Sequence, residues 1–324
     1  MSAPAATPRA PLALGRRRLV DRLGDWILYV LTAGATLGAL ILVGLIAYEL
    51  VRHAWAAISE FGFGFVTSQV WDPVKERFGV LDFIYGTALT SFVAILLAGP
   101  LAIAIALFLT ELAPRALRGV IGTLVELLAA IPSVVIGLWG IFVLGPFIRD
   151  NVDPTLHSAL GWTPFFKGTP QLTGYLTAAL VLTIMVLPIT ASISRELFRT
   201  VPSDLKEAAL ALGMTRWEMI RGVVLPYTRG GLVAAVMLGL GRAIGEAIAV
   251  TQVIGGIGGI HLSLFSNGDT LASRIAAQYQ AAATDIHIAA LVYVALVLLV
   301  ISLAVNFTAQ LIVRRFEFQR TGGS

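Results

Sequence analysis

The sequence has no cysteine and few charged residues. Without cysteine, the 324-residue chain forms no disulfide and offers neither a thiol nucleophile nor a cysteine metal site. Charged residues make up 13% of the chain, well below the roughly one quarter that is typical of soluble domains. Hydrophobic residues make up 57%. This balance argues against an ordinary soluble domain and predicts an integral membrane protein.

Lysine and histidine are also scarce, and their surroundings lack the patterns of common catalytic sites. None of the three lysines follows the GxxxxGK[ST] pattern of a phosphate-binding loop, so no ATPase site of that kind is expected here. The four histidines lack metal-ligand spacing, and no convincing nucleophile set accompanies them. The net charge of +4 gives no reason to expect nucleic acid as a partner. We therefore expect no enzyme activity in this chain.

Six apolar runs are long enough to cross a membrane, because a hydrocarbon core of about 30 Å needs roughly 20 helical residues. The runs cover 26–48, 87–109, 120–144, 172–193, 231–254 and 288–311. The predicted fold class is therefore an all-α integral membrane protein with six transmembrane helices.

Lysine and arginine indicate the orientation, because cytoplasmic segments carry an excess of both. With the N-terminus inside, 16 of the 23 Lys and Arg residues lie in inner segments, six lie in outer segments and Arg242 lies within a run. Both termini are therefore predicted to be cytoplasmic. The predicted organisation is a flexible tail at 1–25, a first transmembrane helix at 26–48, a periplasmic connection at 49–84, a core domain at 85–313 with an inner loop at 195–229, and a tail at 314–324.

The inner loop is predicted to carry two short helices. Ser203 is placed to cap the first, and Gly213 fits the position after its end, where a left-handed residue is common. Thr215 and Glu218 have the spacing of a capping box, so a second helix begins there and runs to a break at Leu225-Pro226. One apolar face is predicted on the first helix, at Leu205, Ala208, Ala209 and Leu212. Such a helical pair suits a groove in another protein.

Residues 207–226, EAALALGMTRWEMIRGVVLP, resemble the EAA loop of ABC importer permeases. The family pattern is E-A-A-x3-G-x9-I-x-L-P, and Val223 replaces its isoleucine here. The matching residues are Glu207, Ala208, Ala209, Gly213, Leu225 and Pro226. The resemblance implies a type I ABC importer permease fold, in which the 203–226 segment docks into a separate ATP-binding subunit.

Three further segments narrow the resemblance to the C-type permease subunits of phosphate-specific ABC importers, the PstC family. They read FGVLDFIYGT at 78–87, LVELLAAIPSVVIGLWG at 124–140 and GLGRAIGEAIAV at 239–250. Two residues depart from the family pattern, Ala247 where threonine is expected and Asp82 where proline is usual. The resemblance covers about 20–318 and implies that 85–313 is a core permease domain with a cytoplasmic coupling loop at 195–229.

The resemblance also implies partners and a location. It predicts a phosphate importer in the bacterial inner membrane, in contact with lipid. Its other parts are a homologous A-type permease subunit, two ATP-binding subunits and an external phosphate-binding protein. ATP and Mg are expected on the ATP-binding subunits, so no cofactor is expected in this chain.

Three charged residues lie inside the predicted runs, Glu126, Arg242 and Glu246. At about 2.5–3.5 kcal/mol for each charge, the three would cost roughly 10 kcal/mol if they faced lipid. Arg242 and Glu246 are four residues apart and share one face of a continuous helix. In one interpretation they neutralise each other, or bridge to Glu126 or a partner permease, and fasten helices together. In the other, the three line the substrate pathway.

The pathway interpretation assigns a role to each of two charges. The planar guanidinium of Arg242 donates two hydrogen bonds to phosphate oxygens and stays charged when desolvated. Glu246 holds that arginine while the pathway is empty, or accepts a hydrogen bond from the proton that phosphate carries and sulfate lacks. Four polar residues either line the same route or bond to their own helix backbones, Thr87, Thr90, Ser91 and Gln252.

Alternative functions remain open at this stage. The chain could serve an ABC importer of another anion or solute, because an external binding protein would select the substrate. It could also be a secondary transporter or channel that uses the same buried charges, although that leaves the EAA loop without a purpose. A separate ATPase that copurifies with the chain would distinguish these classes.

Overall fold

The chain is predominantly helical in a computed structural model, which describes residues 14–169 and 171–321, with side chains at 22–169 and 171–314. Two short strands, β1 (Trp71–Asp72) and β2 (Arg77–Phe78), form an antiparallel hairpin. The helices, in chain order, are α1 (Leu14–Phe61), α2 (Gly64–Thr67), α3 (Leu81–Leu107), α4 (Arg115–Ala130), α5 (Ser133–Trp139), α6 (Gly145–Phe147), α7 (Asp153–Leu160), α8 (Tyr175–Arg199), α9 (Ser203–Ala211), α10 (Arg216–Met219), α11 (Leu225–Gly245), α12 (Ile248–Val253), α13 (Leu271–Gln278) and α14 (Asp285–Thr321).

Six helical segments are long and apolar enough to cross a membrane within the residues that the structure describes. The prediction of six spans is therefore confirmed, although every boundary differs from the predicted one, and two of the differences affect the placement of charged residues. The third span begins at Ser133 rather than at 120, and the fifth ends at Gly245 rather than at 254. The segments are Arg22–Phe61, Leu81–Leu112, Ser133–Leu160, Tyr175–Arg199, Arg216–Gly245 and Asp285–Arg314.

A break at Ile131 and Pro132 explains the shift of the third span. Pro132 has no N–H to donate and disfavours a helical conformation in the residue before it, so Ile131 is extended, with ψ of 127°. α4 ends at Ala130, and α5 begins after the proline at Ser133. The helical path then continues through π-helical turns, α6 and α7 to Leu160.

The ends of α1 and α14 differ from the predicted tails. Residues 1–13 of the predicted N-terminal tail lie outside the described residues, whereas 14–25 already belong to α1. α1 also extends to Phe61, so the predicted connection at 49–84 is shortened to the segment that carries α2 and the hairpin, before α3 begins at Leu81. At the other end, 314–321 belong to α14, and 322–324 lie outside the described part.

The chain divides into two compact units between Arg52 and His53. In the first unit, the side chains of α1 from residue 22 are nearly all exposed, including most of its large apolar ones. A helix that is apolar on all sides and has no protein core of its own suits a surrounding of lipid or other membrane helices. The predicted transmembrane helix at 26–48 lies within α1.

Small residues hold the helices of the second unit close together. Every fourth residue along α3 from 94 to 106 is a fully buried alanine, which permits close approach of a neighbouring helix. On α11, a Cβ placed at Gly239 would lie 2.6 Å from Cγ1 of Val186 on α8, so only glycine fits this contact. The tight packing of α3, α8 and α11 positions the charged residues at the ends of these helices.

Candidate functional site

Arg242 and Glu246 do not lie on one continuous helix, and the prediction that they do was wrong. α11 ends at Gly245, and the backbone of Glu246 is extended, with ψ of 117°. One carboxylate oxygen of Glu246 accepts a hydrogen bond from the Ala249 N–H at 3.3 Å, within the first turn of α12. A side chain that caps the next helix competes with continuation of the first, which explains the break.

The break leaves Arg242 without the predicted partner. Its side chain is exposed on α11, whereas Glu246 is half-buried. Among the described residues, no ion pair joins Arg242 to Glu246 or to Glu126. The mutual neutralisation considered from the sequence is therefore not formed in this structure. A guanidinium within a membrane-length helix needs water, an anion or another polar partner.

Glu126 lies outside the membrane-length helices, so its predicted place inside the third span was wrong. It lies on α4, before the proline break. Its Oε1 accepts a hydrogen bond from Nη2 of Arg195, on α8, at 2.5 Å. The Arg195 side chain is 16% exposed and that of Glu126 is 56% exposed. The pair connects α4 to the Arg199 end of α8.

The hydroxyl groups of Thr87, Thr90 and Ser91 on α3 each donate a hydrogen bond to a carbonyl of their own helix. Thr87 donates to the Phe83 carbonyl and Thr90 to the Gly86 carbonyl, both at 2.7 Å, and Ser91 donates to the carbonyl of Thr87. All three hydroxyl side chains are buried. Of the two interpretations left open, local backbone bonding is the one observed for these three residues.

The coupling segment, 203–226, forms the predicted pair of short helices around a left-handed glycine. Gly213 has φ of +86°, a conformation that glycine adopts with little strain. Thr215 and Glu218 form the predicted capping box, since the Glu218 N–H donates to the Thr215 hydroxyl at 3.3 Å and the Thr215 N–H donates to the Glu218 carboxylate at 2.8 Å. Two motifs predicted from spacing alone are thereby confirmed.

Two details of the predicted coupling segment were wrong. Ser203 is the first helical residue and does not cap α9, which follows Pro202. At Leu225-Pro226 the helix continues, because a π-helical turn at Ile220–Val224 leads directly into α11. Pro226, which has no N–H to donate, directly follows this π-helical turn, and a distortion of this kind accommodates a proline within a continuous helix.

The coupling segment is anchored on one side and exposed on the other. Ala209 is 5% exposed and belongs to an apolar cluster with Phe198, Ile220 and Val224. Lys206 donates to the Glu111 carboxylate at 2.6 Å, which ties α9 to the end of the second span. Glu207, Ala208 and Gly213 are exposed. Of the residues that match the EAA pattern, Ala209 therefore packs against the protein, whereas Glu207, Ala208 and Gly213 lie on the exposed side of the segment.

The predicted apolar face of α9 is only partly buried against the protein. Leu212 is 82% exposed, because α9 ends at Ala211 and the chain turns at the glycine. Several large apolar side chains of the segment are likewise exposed, Leu205, Leu210, Leu212, Met214 and Trp217. Exposed apolar side chains concentrated in one segment indicate a surface that binds another protein. We call these five residues the coupling surface.

A buried polar network between the fifth and sixth spans was not predicted. Nη2 of Arg274 lies 2.6 Å from Oδ2 of Asp269, and both side chains are almost inaccessible to solvent. The guanidinium also stacks over the Phe83 ring, 4.5 Å from its centroid. Burial raises the pKa of the Asp269 carboxyl, and the Arg274 charge with hydrogen bonds from Ser273 and Thr270 opposes that shift.

Asp82, one of the departures from the family pattern, joins the N-terminal end of α3 to the same region. It is 2% exposed and accepts hydrogen bonds from the N–H groups of Phe83 at 3.0 Å and Gly259 at 3.1 Å. Gly259 belongs to a glycine-rich stretch after α12, so Asp82 fixes that stretch to α3. A lone aspartate and a lone arginine far apart in sequence gave no sign of this arrangement.

Arg274→Gln is expected to lower the stability of the protein by about 3–5 kcal/mol, because it leaves the buried Asp269 carboxylate without its ion pair. The measurement is the thermal unfolding midpoint of the detergent-solubilised transporter. Arg149→Gln is the matched control, since the Arg149–Asp150 pair is largely exposed. Equal unfolding midpoints for both variants would contradict the structural role of the buried pair.

Comparison with known proteins identifies relatives along most of the chain. Residues 98–318 match the family model described as binding-protein-dependent transport system inner membrane component. A phosphate transport system permease protein PstC from Mesorhizobium japonicum is 47% identical over 93% of this chain and 93% of that protein. A protein of the same name from Xylella fastidiosa strain Temecula1 is 41% identical over 96% of this chain and 97% of that protein.

Solved structures support the fold. A bacterial alginate ABC transporter in complex with an alginate pentasaccharide-bound periplasmic protein matches with a TM-score of 0.57 at 20% identity, over 90% of this chain and 97% of that one. An inward-facing form of the MetNI methionine ABC transporter matches with a TM-score of 0.56 at 19% identity, over 76% and 99% of the two chains. At these identities the likeness concerns the fold, which is that of type I ABC importer permeases.

Proposed function

This chain belongs to the family of binding-protein-dependent transport system inner membrane components, and we propose that it is the permease subunit of an ATP-driven importer of inorganic phosphate. Phosphate is proposed as the substrate because the chain is 47% identical, over 93% of both chains, to a phosphate transport permease. In this proposal the chain forms part of the translocation pathway and is not itself an enzyme.

The proposed pathway includes Arg242 as the residue that meets the anion. Its exposure on α11 and its lack of a described ion pair support this assignment. Glu246 would act beside it, with one oxygen engaged at Ala249 and the other available to accept a hydrogen bond from the protonated oxygen of phosphate. Glu126 has two alternative roles in this proposal: it lines the pathway, or it serves only as the ion-pair partner of Arg195.

The proposed energy source is a pair of separate ATP-binding subunits, which hold ATP and Mg. The coupling surface supports this assignment, because it exposes five large apolar side chains on a segment that Ala209 and Met219 anchor to the rest of the protein. The complex would also contain a homologous A-type permease and an external phosphate-binding protein. Movement of the coupling segment with its ATP-binding subunit would tilt the helices around the pathway as rigid bodies.

The proposed location is the inner membrane of a bacterial cell, with both termini in the cytoplasm. The excess of Lys and Arg in the inner segments supports this orientation, which places the coupling segment on the cytoplasmic side. Digestion of the 195–229 loop by a protease supplied only from outside sealed cells would contradict it.

The proposal is tested by purifying the tagged chain from membranes of its own cells in mild detergent. A separate ATP-binding subunit is expected to copurify, and substitution of Trp217 and Leu212 by serine is expected to release it. The matched control replaces Phe142 and Phe147, two exposed apolar side chains in the third span, by serine. Transport of phosphate by the chain without any ATPase would contradict the proposal and favour a secondary transporter.

Glu126→Gln separates the two roles of that carboxylate. If the pair with Arg195 is its main function, the variant is expected to lose roughly 1–3 kcal/mol of stability, since a mostly buried guanidinium loses the nearer of its two carboxylate partners. The unfolding midpoint and the phosphate uptake are measured on the same preparations. Loss of uptake at an unchanged midpoint would assign Glu126 to the pathway instead.

A further inference from the structure

A groove of about 430 Å³ runs between α11 and α14, on the face of α11 that leads to Arg242. The wall formed by α11 is apolar and consists of Ala234, Met237 and Leu238. The wall formed by α14 carries the polar side chains, Asn306, Gln310 and Arg314. All three polar side chains are exposed, and none has a hydrogen bond or an ion pair with another described side chain.

The three polar residues form one line along α14. They are spaced by four, so they lie on one helix face, and they span about 12 Å of helical rise. We call Asn306, Gln310 and Arg314 the polar line. Three donor-bearing side chains in succession can each hydrogen-bond an anion, and the arginine adds a positive charge.

The polar line continues towards Arg242. A Cβ placed at Gly241 would lie 3.6 Å from Oδ1 of Asn306, so α11 and the beginning of the line are in close contact there. Arg242 follows Gly241 and lies four residues beyond Leu238, one turn further along the groove face. Arg242 therefore belongs to the turn of α11 that contacts the Asn306 end of the line.

The polar line lies at the end of the membrane span towards the C-terminus. Asn306 is 21 residues after Asp285, the first residue of α14, which corresponds to a helical rise of about 31 Å. This rise equals the thickness of a hydrocarbon core of about 30 Å. Gln310 and Arg314 lie beyond that distance, on the cytoplasmic side in the proposed orientation.

We infer that the polar line binds the phosphate anion as it leaves Arg242 and guides it to the cytoplasm. This inference rests on the proposed function. The same donors would suit the phosphate group of an anionic lipid, but such a headgroup needs only Arg314 at the membrane surface. Asn306 lies about 12 Å from Arg314 along α14 and against Gly241, the neighbour of Arg242, which a headgroup at the membrane surface does not require. A path for a hydrated anion explains all three residues.

The test uses the complete transporter, with its partner subunits and external binding protein, reconstituted in vesicles. Asn306→Leu, Gln310→Leu and Arg314→Gln are each expected to reduce the maximal rate of inorganic phosphate uptake roughly tenfold, because each removes a hydrogen bond to a charged group. ATP hydrolysis stimulated by the binding protein should persist, so more ATP is consumed for each phosphate. Persisting hydrolysis also shows that the variants are folded and assembled.

Thr308→Val is the matched control. Thr308 is exposed on α14, two residues from Asn306 and on the other side of the helix, and its hydroxyl donates a hydrogen bond to the Ala304 carbonyl. The control is expected to transport at the wild-type rate. Normal rates in all three groove variants would overturn the inference while leaving the proposed function intact. If the wild-type complex transports no phosphate, the proposed function itself has failed.

Lipid composition separates the two sources of phosphate chemistry. Uptake is compared in vesicles of phosphatidylcholine alone and of phosphatidylcholine with phosphatidylglycerol. The inference predicts the same loss for Arg314→Gln in both. A loss confined to the vesicles that contain phosphatidylglycerol, with wild type already slow in phosphatidylcholine alone, would assign the groove to a lipid headgroup and overturn the inference.

Discussion

Gly213→Asp is expected to abolish ATP-driven phosphate uptake while the protein remains in the membrane. Gly213 has φ of +86° between α9 and α10, where a side chain is strained, and the new carboxylate would lie within the coupling surface. Disruption at the centre of a protein interface costs about 2 kcal/mol or more, which weakens binding roughly 30-fold. The measurement combines uptake with quantification of the ATP-binding subunit that copurifies.

Two further variants separate strain from charge at this position. Gly213→Ala adds the strain alone and is expected to reduce uptake less than the aspartate does. Gly119→Asp is the matched control, because Gly119 is exposed near the start of α4, has free space around it and tolerates an acidic residue near a helix N-terminus. Normal uptake by Gly213→Asp would contradict the docking role of the coupling segment.

Arg242→Gln is expected to reduce phosphate uptake roughly 10- to 100-fold at equal membrane levels, because a charge-assisted hydrogen bond of about 1.5–3 kcal/mol is lost. Since no described residue forms an ion pair with Arg242, the substitution breaks no ion pair within the described part of the chain. A loss of uptake would therefore reflect a contact outside it, either with the anion or with a partner subunit. The uptake of radiolabelled phosphate at saturating concentration is the measurement.

Arg242→Lys and Glu246→Gln identify that contact. Lysine keeps the charge but loses the planar guanidinium. If Arg242 forms two parallel hydrogen bonds to phosphate, the uptake rate of Arg242→Lys should lie between the rates of wild type and Arg242→Gln. Glutamine at 246 keeps an oxygen for the Ala249 N–H, so the cap of α12 should survive. If Glu246 recognises the proton of phosphate, its variant discriminates less against sulfate. Unchanged transport in both glutamine variants would remove Arg242 and Glu246 from the pathway.

The fold was largely predictable because its strongest signals are local. An apolar run of membrane length forms a helix wherever it occurs, since only a helix satisfies its own backbone in lipid. The capping box at Thr215 and the left-handed Gly213 also depend only on neighbouring residues, and both are as predicted. Boundaries were less predictable: α1 continues to Phe61 because polar residues do not by themselves end a helix.

The candidate site was less predictable because its key contacts join distant residues. Spacing of four placed Arg242 and Glu246 on one helix, but the bond from Ala249 to Glu246 ended that helix at Gly245. The charge of Glu126 suggested a place in the membrane, and nothing near it in sequence indicated Arg195 on α8. Local patterns identify candidate charges, whereas tertiary packing decides their partners.

Family resemblance supplied what spacing could not. The helical pattern of this segment indicated a fit to a groove in another protein, and the resemblance implied that this protein is an ATP-binding subunit. The structure adds that Lys206 and Ala209 anchor the segment while Leu212 and Trp217 remain exposed. This division between an anchored and a free side is what a segment that transmits movement between subunits requires.

The most direct measurement of the central proposal compares uptake of radiolabelled phosphate and sulfate in cells that lack their own phosphate importer and express this chain with its partner subunits. The account predicts phosphate uptake that depends on ATP, little sulfate uptake, and loss of phosphate uptake with Arg242→Gln. Accumulation of sulfate or another solute without phosphate would contradict the assignment of phosphate as the substrate.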